Sequence, residues 1–361
     1  MIIIMRKFFK HISSVLAVAA LGFGMVACDD WTEPESIDTN FGTTDSADPA
    51  AYAKYLANLR AYRSKPHKKV YAWFDNIATG AGSQADRITA LPDSIDVIVL
   101  SNPESITNQM VDEIKSVQSQ KGMEVLLNVG FNEIQEKYTL LCESLAAQRI
   151  AFESNPANAG KPIPEDLKDP SLASYTADMF TTYMSYLSVG VNGIMTGFDG
   201  KSTIHMTPDE LVEYNKNAGV YMGVLSDFYE RNSTLLMDFC GRPENISEYP
   251  VLKAFRNILL SGSASVPDKY SYTYYYNLVQ GLVEDSQIGM VAYYRAVDNV
   301  TDPNTGYMND GSLSIDGLAE WTAAHNVGCV GLRNIQNDYY VSNGSYAAIR
   351  QFIQIVNPAA K

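Results

Sequence analysis

Residues 191–200, VNGIMTGFDG, read as one strand and its exit. A small polar residue and a glycine lead in, apolar positions follow, and Asp199 stands at the end before Gly200. Seven further stretches share this build: KKVYAWFDN (68–76), IDVIVLSN (95–102), MEVLLNVGF (123–131), STLLMDF (233–239), FRNILLSGS (255–263), IGMVAYYR (288–295) and VGCVGLRN (327–334). Near-continuous apolar runs of this length mark strands buried on both faces, as in parallel sheets. Between them lie amphipathic helical segments such as 108–120, 207–229 and 315–326. Eight strand–helix units predict an α/β fold, a single-domain (β/α)8 barrel. A doubly wound sheet ranks second, because no glycine-rich phosphate loop follows the first strand.

The N-terminal residues belong to a different physical regime. Arg6, Lys7 and Lys10 precede a short apolar run that ends in small residues at Cys28, the pattern of a secretory signal. Met25-Val26-Ala27-Cys28 approximates a lipobox, which predicts lipidation of Cys28 and a membrane anchor. Residues 29–65 follow as an acidic tether and lead-in, and 66–361 form the predicted barrel. The full chain carries 41 acidic and 27 basic residues, a net charge of −14. Such an excess excludes nucleic acid as a partner, since phosphates need Lys and Arg to neutralise them. Cys142, Cys240 and Cys329 lie in apolar surroundings and read as buried free thiols, with one disulfide left open by an oxidising compartment. The histidines are scattered without ligand spacing, and no serine sits in a nucleophile elbow, so no metal or cofactor is expected. The proline-rich stretch 152–171 reads as an inserted surface loop.

Barrel chemistry sits at the carboxyl ends of the strands. The candidates there are Trp73, Asn76, Asn128, Asp199, Asp238, Tyr294, Arg333 and Asn334. To these the stretch YSYTYYY (270–276) adds Tyr274, on a predicted loop after strand six. Aromatic rings offer flat apolar faces to pyranoses and hydroxyls to their polar rims.

VYAWFDN, LPDSIDVIVLSN and KGMEVLLNVG resemble the opening strands of glycoside hydrolase family 18, in the branch of bacterial endo-β-N-acetylglucosaminidases. The closing segment VGCVGLRNIQNDYY to IRQFIQIVNPA is similar to the same branch. The family signature D-G-x-D-x-D-x-E on strand four supplies a general acid and an aspartate that orients the substrate's 2-acetamido group, a substrate-assisted mechanism. On this chain the four positions are Asn192, Met195, Gly197 and Asp199. Asp199 stands at the acid's position one methylene short, which withdraws its oxygens by roughly 1.5 Å. A misplacement of about 1 Å can cost ~10²-fold in rate. Ser263 stands where the family ends strand six with a tyrosine that bonds the acetamido oxygen.

The resemblance therefore implies a non-catalytic surface protein that captures GlcNAc-containing glycans, N-glycans in particular. It would be an outer-membrane lipoprotein facing outward, working beside a glycan transporter and partner glycosidases. The alternative is a divergent endo-β-N-acetylglucosaminidase with Asp199 as general acid.

Overall fold

A computed structural model describes residues 48–246, 250–296, 303–341 and 344–358. Cys28, the signal and the first part of the tether lie outside these residues. Eight parallel strands close into one barrel in sequence order. They are β1 (Lys69–Phe74), β2 (Val97–Leu100), β3 (Glu124–Gly130), β4 (Gly193–Gly197), β5 (Leu236–Gly241), β6 (Ile258–Leu260), β7 (Ile288–Tyr293) and β8 (Cys329–Arg333). β8 pairs back onto β1, with Tyr71 opposite Gly331. All eight predicted strands are present, and the (β/α)8 class is established.

The helices are α1 (Pro49–Arg63), α2 (Asn108–Ser116), α3 (Phe131–Ser154), α4 (Leu172–Tyr186), α5 (Pro208–Arg231), α6 (Tyr270–Val279), α7 (Ser314–Ala324) and α8 (Ala347–Val356). Local chemistry fixes their starts. Thr207 and Glu210 exchange hydrogen bonds as a capping box before α5, with Pro208 at the first helical position. Thr107 caps α2 through its hydroxyl. The proline-rich stretch runs from the end of α3 to α4 through two short 3-10 turns, as a surface segment.

The lead-in differs from a simple tether. The compact body begins at Ala53, within α1. Arg60 donates to the Gln120 carbonyl (2.6 Å), and Arg63 to the Lys121 carbonyl (2.8 Å) and the Asp96 carboxylate (2.6 Å). The basic last turn of α1 is thereby fastened to the underside of the barrel.

Two apolar layers divide the core. The larger lies between strands and helices. The smaller fills the barrel itself with Tyr71, Trp73, Val97, Val99, Leu126, Met195, Leu259, Val291 and Cys329. Burying a large apolar side chain of this kind stabilises a fold by about 1.5–3 kcal/mol each. Gly331 makes room for it, because a Cβ there would lie 2.8 Å from the Trp73 ring.

Below that layer sits a polar knot. Asp238 is fully buried and accepts both forks of Arg256 (3.1 and 2.6 Å), the Tyr71 hydroxyl (2.7 Å) and the Asn257 backbone N–H (3.1 Å). Arg256 also reaches Glu124 at 2.7 Å, and Asn257 donates to the Tyr71 oxygen at 2.7 Å. Burial acts to lower the Arg256 guanidinium's pKa, and its pairing with Asp238 overrides this and raises it. Burial together with the Asp238 charge holds the Tyr71 phenol well above its ordinary value.

Candidate functional site at the barrel mouth

Six strand ends converge on a cavity of about 210 Å³ at the carboxyl end of the barrel. β3 delivers Asn128 and Gly130, and the first turn of α3 adds Asn132 and Glu133. β4 brings Gly197 and, just beyond it, Asp199. Cys240 comes from β5, Ser261 and Gly262 follow β6, and Tyr293 and Arg333 close β7 and β8.

Asp199 spans this mouth. One carboxylate oxygen accepts from Ser261 Oγ (2.5 Å) and the other from Asn132 Nδ2 (2.5 Å). Its backbone carbonyl accepts from Asn245 Nδ2 (2.6 Å). Both oxygens are therefore engaged by side chains of flanking strand ends. Gly200 follows in the left-handed region (φ +57°), and a Cβ there would overlap the Tyr214 hydroxyl.

Glu133 folds back over the end of β3, where Asn128 Nδ2 donates to it at 3.0 Å. Gly130 permits this, since a Cβ at that position would overlap the Glu133 carboxylate. Arg333 sits across from it, its guanidinium 4.6 Å from the centre of the Trp73 ring and 5.8 Å from that of Tyr293. Stacking on Trp and Tyr faces holds the cation by its flat side. Among the described residues no carboxylate lies within ion-pair distance of Arg333, and its side-chain hydrogen-bond partner is the Cys240 thiol. Beside it, burial pushes the Cys240 thiol up to about 11 against the pull of the Arg333 charge. Burial likewise raises the Tyr293 phenol, with Arg333 opposing. Both groups are uncharged at neutral pH and act as neutral walls.

The motif positions fare differently from one another. Asn192 lies at the opposite end of β4, where its side-chain oxygen accepts from Val125 N–H and Gln118 Nε2 at 2.8 Å each. Met195 is fully buried in the barrel's apolar layer. Gly197 lines the cavity but leaves no room for a side chain, because a Cβ there would overlap the Cys240 carbonyl oxygen.

Of the predicted ligand residues, Asn128, Asp199 and Arg333 come together at the mouth. Several others require correction. Asp238 belongs to the knot below, since β5 continues past it to Gly241. Asn76 is buried, and its amide and carbonyl clasp the Asn102 backbone (2.7 and 3.0 Å). Trp73 lies inside the barrel and carries Arg333 on its ring. Tyr294 faces outward and is nearly buried, its phenol pushed up to about 12 by burial and by a hydrogen bond to Asp338; its neighbour Tyr293 is the one at the mouth. Asn334 takes a left-handed turn (φ +58°) and donates to the Tyr294 carbonyl (3.2 Å).

The tyrosine-rich loop is the helix α6. Tyr274 points to solvent, Tyr272 is buried and donates to the Ser314 carbonyl (3.0 Å), and Tyr276 packs edge-on against Trp321. Ser261, rather than Ser263, is the strand-six serine at the mouth. Glu133 and Asn132 were not picked out from sequence, whereas Ser261 and Tyr293 fall within the predicted strand ends without having been chosen as ligand residues. For Glu133 a signal exists: it is the acidic residue in the first turn of α3, where the helix N-terminus favours a carboxylate.

A profile of "Glycoside hydrolase family 18, BT1044-like" matches residues 32–355. Among solved structures, a Glu-to-Gln variant of BT1044 is similar at 14% identity, with a TM-score of 0.56 over 87% of this chain and 95% of that one. An endo-β-N-acetylglucosaminidase from Cordyceps militaris in apo form is similar at 16% identity, with a TM-score of 0.54 over 84% and 96% of the two chains. An Asp-to-Asn, Glu-to-Gln double variant of that enzyme, in complex with fucosyl-N-acetylglucosamine-Asn, gives 16% identity and a TM-score of 0.51 over 84% and 95%. At these identities the likeness concerns the fold. No curated protein sequence matches.

Proposed function

The chain belongs to glycoside hydrolase family 18, and we propose that it holds a GlcNAc-containing glycan, foremost an N-glycan, without cleaving it. The observation that carries this reading is Gly197. At the position of the acetamido-orienting aspartate the backbone packs bare against the Cys240 carbonyl, with no space for a carboxylate. Substrate-assisted cleavage depends on that group. Around it the mouth keeps what recognition needs: the Arg333 donors, the Asp199 and Glu133 acceptors, the Asn128 and Asn132 amides and the Tyr293 ring. Concave sites with a few convergent polar groups on a rigid scaffold are suited to oriented binding.

The proposal extends to the setting. Lipidated Cys28 would tether the protein to the outer membrane, facing outward, where a captured glycan passes to partner glycosidases and a transporter. The complex of the Cordyceps militaris variant with fucosyl-N-acetylglucosamine-Asn supports the ligand class by kinship.

Glu133 favours a second reading. It adds a carboxylate to the cavity that holds Asp199, and two carboxylates in one mouth are the raw material of glycosidic cleavage. In that reading Asp199 donates the proton to the leaving oxygen.

Incubating the mature protein with N-glycoproteins, while recording both binding and released glycan, separates the two. Binding without release is expected. Release that disappears in Asp199→Asn would overturn it, and failure to bind any member of a broad glycan panel would leave the barrel as a protein scaffold. Palmitate labelling lost in Cys28→Ala, with protease accessibility on whole cells, tests the anchor and its orientation.

A further inference from the structure

Helix α6 departs from the pattern of a surface helix. Its ten residues, YSYTYYYNLV, carry no charge. Tyr272 and Val279 are buried on its inner face, and Tyr276 meets the Trp321 ring of α7 edge-on. A helix in the outer ring of a barrel buries one stripe and offers polar residues to water on the other. Here the outer stripe is apolar as well. Tyr270 is 70% exposed and Tyr274 61%, and Leu278 stands exposed beyond them. Steps of four residues drift only about 40° around a helix, so these side chains form one row. Leu282 follows, exposed in the turn closed by its N–H to the Val279 carbonyl (3.0 Å). We propose that this row is a docking face for a protein partner whose matching surface is an apolar groove rimmed by Lys and Arg.

The charges at the ends of the row select that partner. Asp268 stands exposed before it, its carboxylate accepting from the Tyr270 and Ser271 N–H groups (2.8 and 3.2 Å). Glu284 and Asp285 stand exposed after Leu282. Lys269 is the one basic residue between positions 268 and 285, and it is paired with Glu320 of α7 at 2.7 Å. An apolar row is thus bracketed by unneutralised carboxylates. A second copy of this chain would bring the same acidic ends, on a molecule whose net charge is −14, and an anionic lipid surface would be repelled alike. A rim of Lys and Arg turns the repulsion into attraction and fixes the register. Anchors spaced by four residues along a helix are those by which it lies in another protein's groove, and tyrosine is enriched at such interfaces.

The row is also held ready. Thr273 Oγ1 accepts from Trp321 Nε1 (2.9 Å) on one flank of α6. On the other, the Arg242 guanidinium lies 4.6 Å from the centre of the Tyr275 ring and is itself paired with Glu244. A helix fixed on both flanks presents its outer face with little ordering left to a partner. None of its residues lines the mouth cavity, so a protein docked on α6 leaves Asp199 and Arg333 uncovered.

Photo-crosslinking in cells that naturally make the protein tests the inference, with p-benzoylphenylalanine at position 274 of the full chain or, as a control, in place of the exposed Ile150 on α3. An adduct with one other protein is expected from position 274 and not from position 150. That protein is then purified and titrated against the mature chain by calorimetry. Tyr270→Ser combined with Tyr274→Ser is expected to weaken binding at least about tenfold, and Glu284→Lys at least about threefold. Both variants alter exposed side chains, so their thermal midpoints should match the parent and exclude unfolding as the cause. No adduct, an adduct the size of two copies of this chain, or labelling of lipid alone would overturn the proposal. So would a purified partner that binds the tyrosine variant as it binds the parent, or one indifferent to the charge reversal.

Discussion

The barrel holds a carboxylate in each half of its interior, and the two are secured in opposite ways. Asp238, in the lower half, has no exposure to water and is locked by Arg256, Tyr71 and Asn257. Asp199, at the mouth, is half-buried and held only by the neutral donors Ser261 and Asn132. A charge enclosed in protein must be matched by an opposite charge, or its desolvation goes uncompensated. Asp199 keeps contact with solvent and with the mouth cavity, so neutral hydrogen bonds suffice to orient it. The contrast separates a carboxylate that builds the fold from one available to a ligand. Position along a strand does not reveal which is which; the partners do.

The largest effect should come from the lower site. Asp238→Ala would strand Arg256 and the Tyr71 hydroxyl inside the barrel, and a loss of about 3–5 kcal/mol is expected in denaturant unfolding. Asp199→Ala in the same assay should cost a small fraction of that. Equal losses at the two sites would erase the contrast.

Gly197→Asp comes next, as an attempt to give the mouth the carboxylate of the family signature. Its Cβ would overlap the Cys240 carbonyl. Overpacking of this kind typically costs about 1–3 kcal/mol, and assays on N-glycoprotein should detect no released glycan. Measurable release from this variant would mean that β5 yields easily and that geometry does not bar catalysis.

Ser261→Ala is smaller on stability, about 0.5–1.5 kcal/mol for one hydrogen bond. Its sharper consequence should be weakened glycan binding, because Asp199 loses one of its two restraints. Unaltered affinity would remove Asp199 from the binding surface.

The smallest effect lies outside both sites. His67, between α1 and β1, bonds to Asp96 at 3.0 Å, and that bond raises its pKa above the ordinary 6.5 in spite of burial. A raised folded value means that the contribution is complete below the unfolded pKa and fades as pH rises through the folded one. Thermal midpoints should therefore decline modestly as pH rises past the ordinary imidazole range, and His67→Gln should flatten that decline. An unchanged pH profile in the variant would assign the dependence to another group.

The fold was written plainly in the sequence, since strands buried on both faces leave continuous apolar runs that periodicity detects. The site was legible only in part. Tyr294 and Tyr293 differ by one position, and in a strand one position exchanges inside for outside. Sequence places both at the end of β7 but leaves their faces open. Asp238 was misplaced because β5 runs on to Gly241, so a presumed end was a middle. Tyr274 failed for another reason. A tyrosine cluster is equally compatible with a helix, and burial of Tyr272, with the packing of Tyr276 on Trp321 of α7, decided the matter. Glu133 escaped because it belongs to a helix and reaches the mouth only through the gap at Gly130.

The seam between β4 and β5 also limits what can stand at position 197. Gly193, Gly197 and Gly241 each face backbone atoms of the opposite strand or its exit so closely that a Cβ at any of them would intrude. With glycine at these positions the two strand ends lie so close that any side chain added there must displace backbone and not merely a neighbouring side chain. The seam acts as a latch: a side chain at position 197 requires concerted movement of the neighbouring strand.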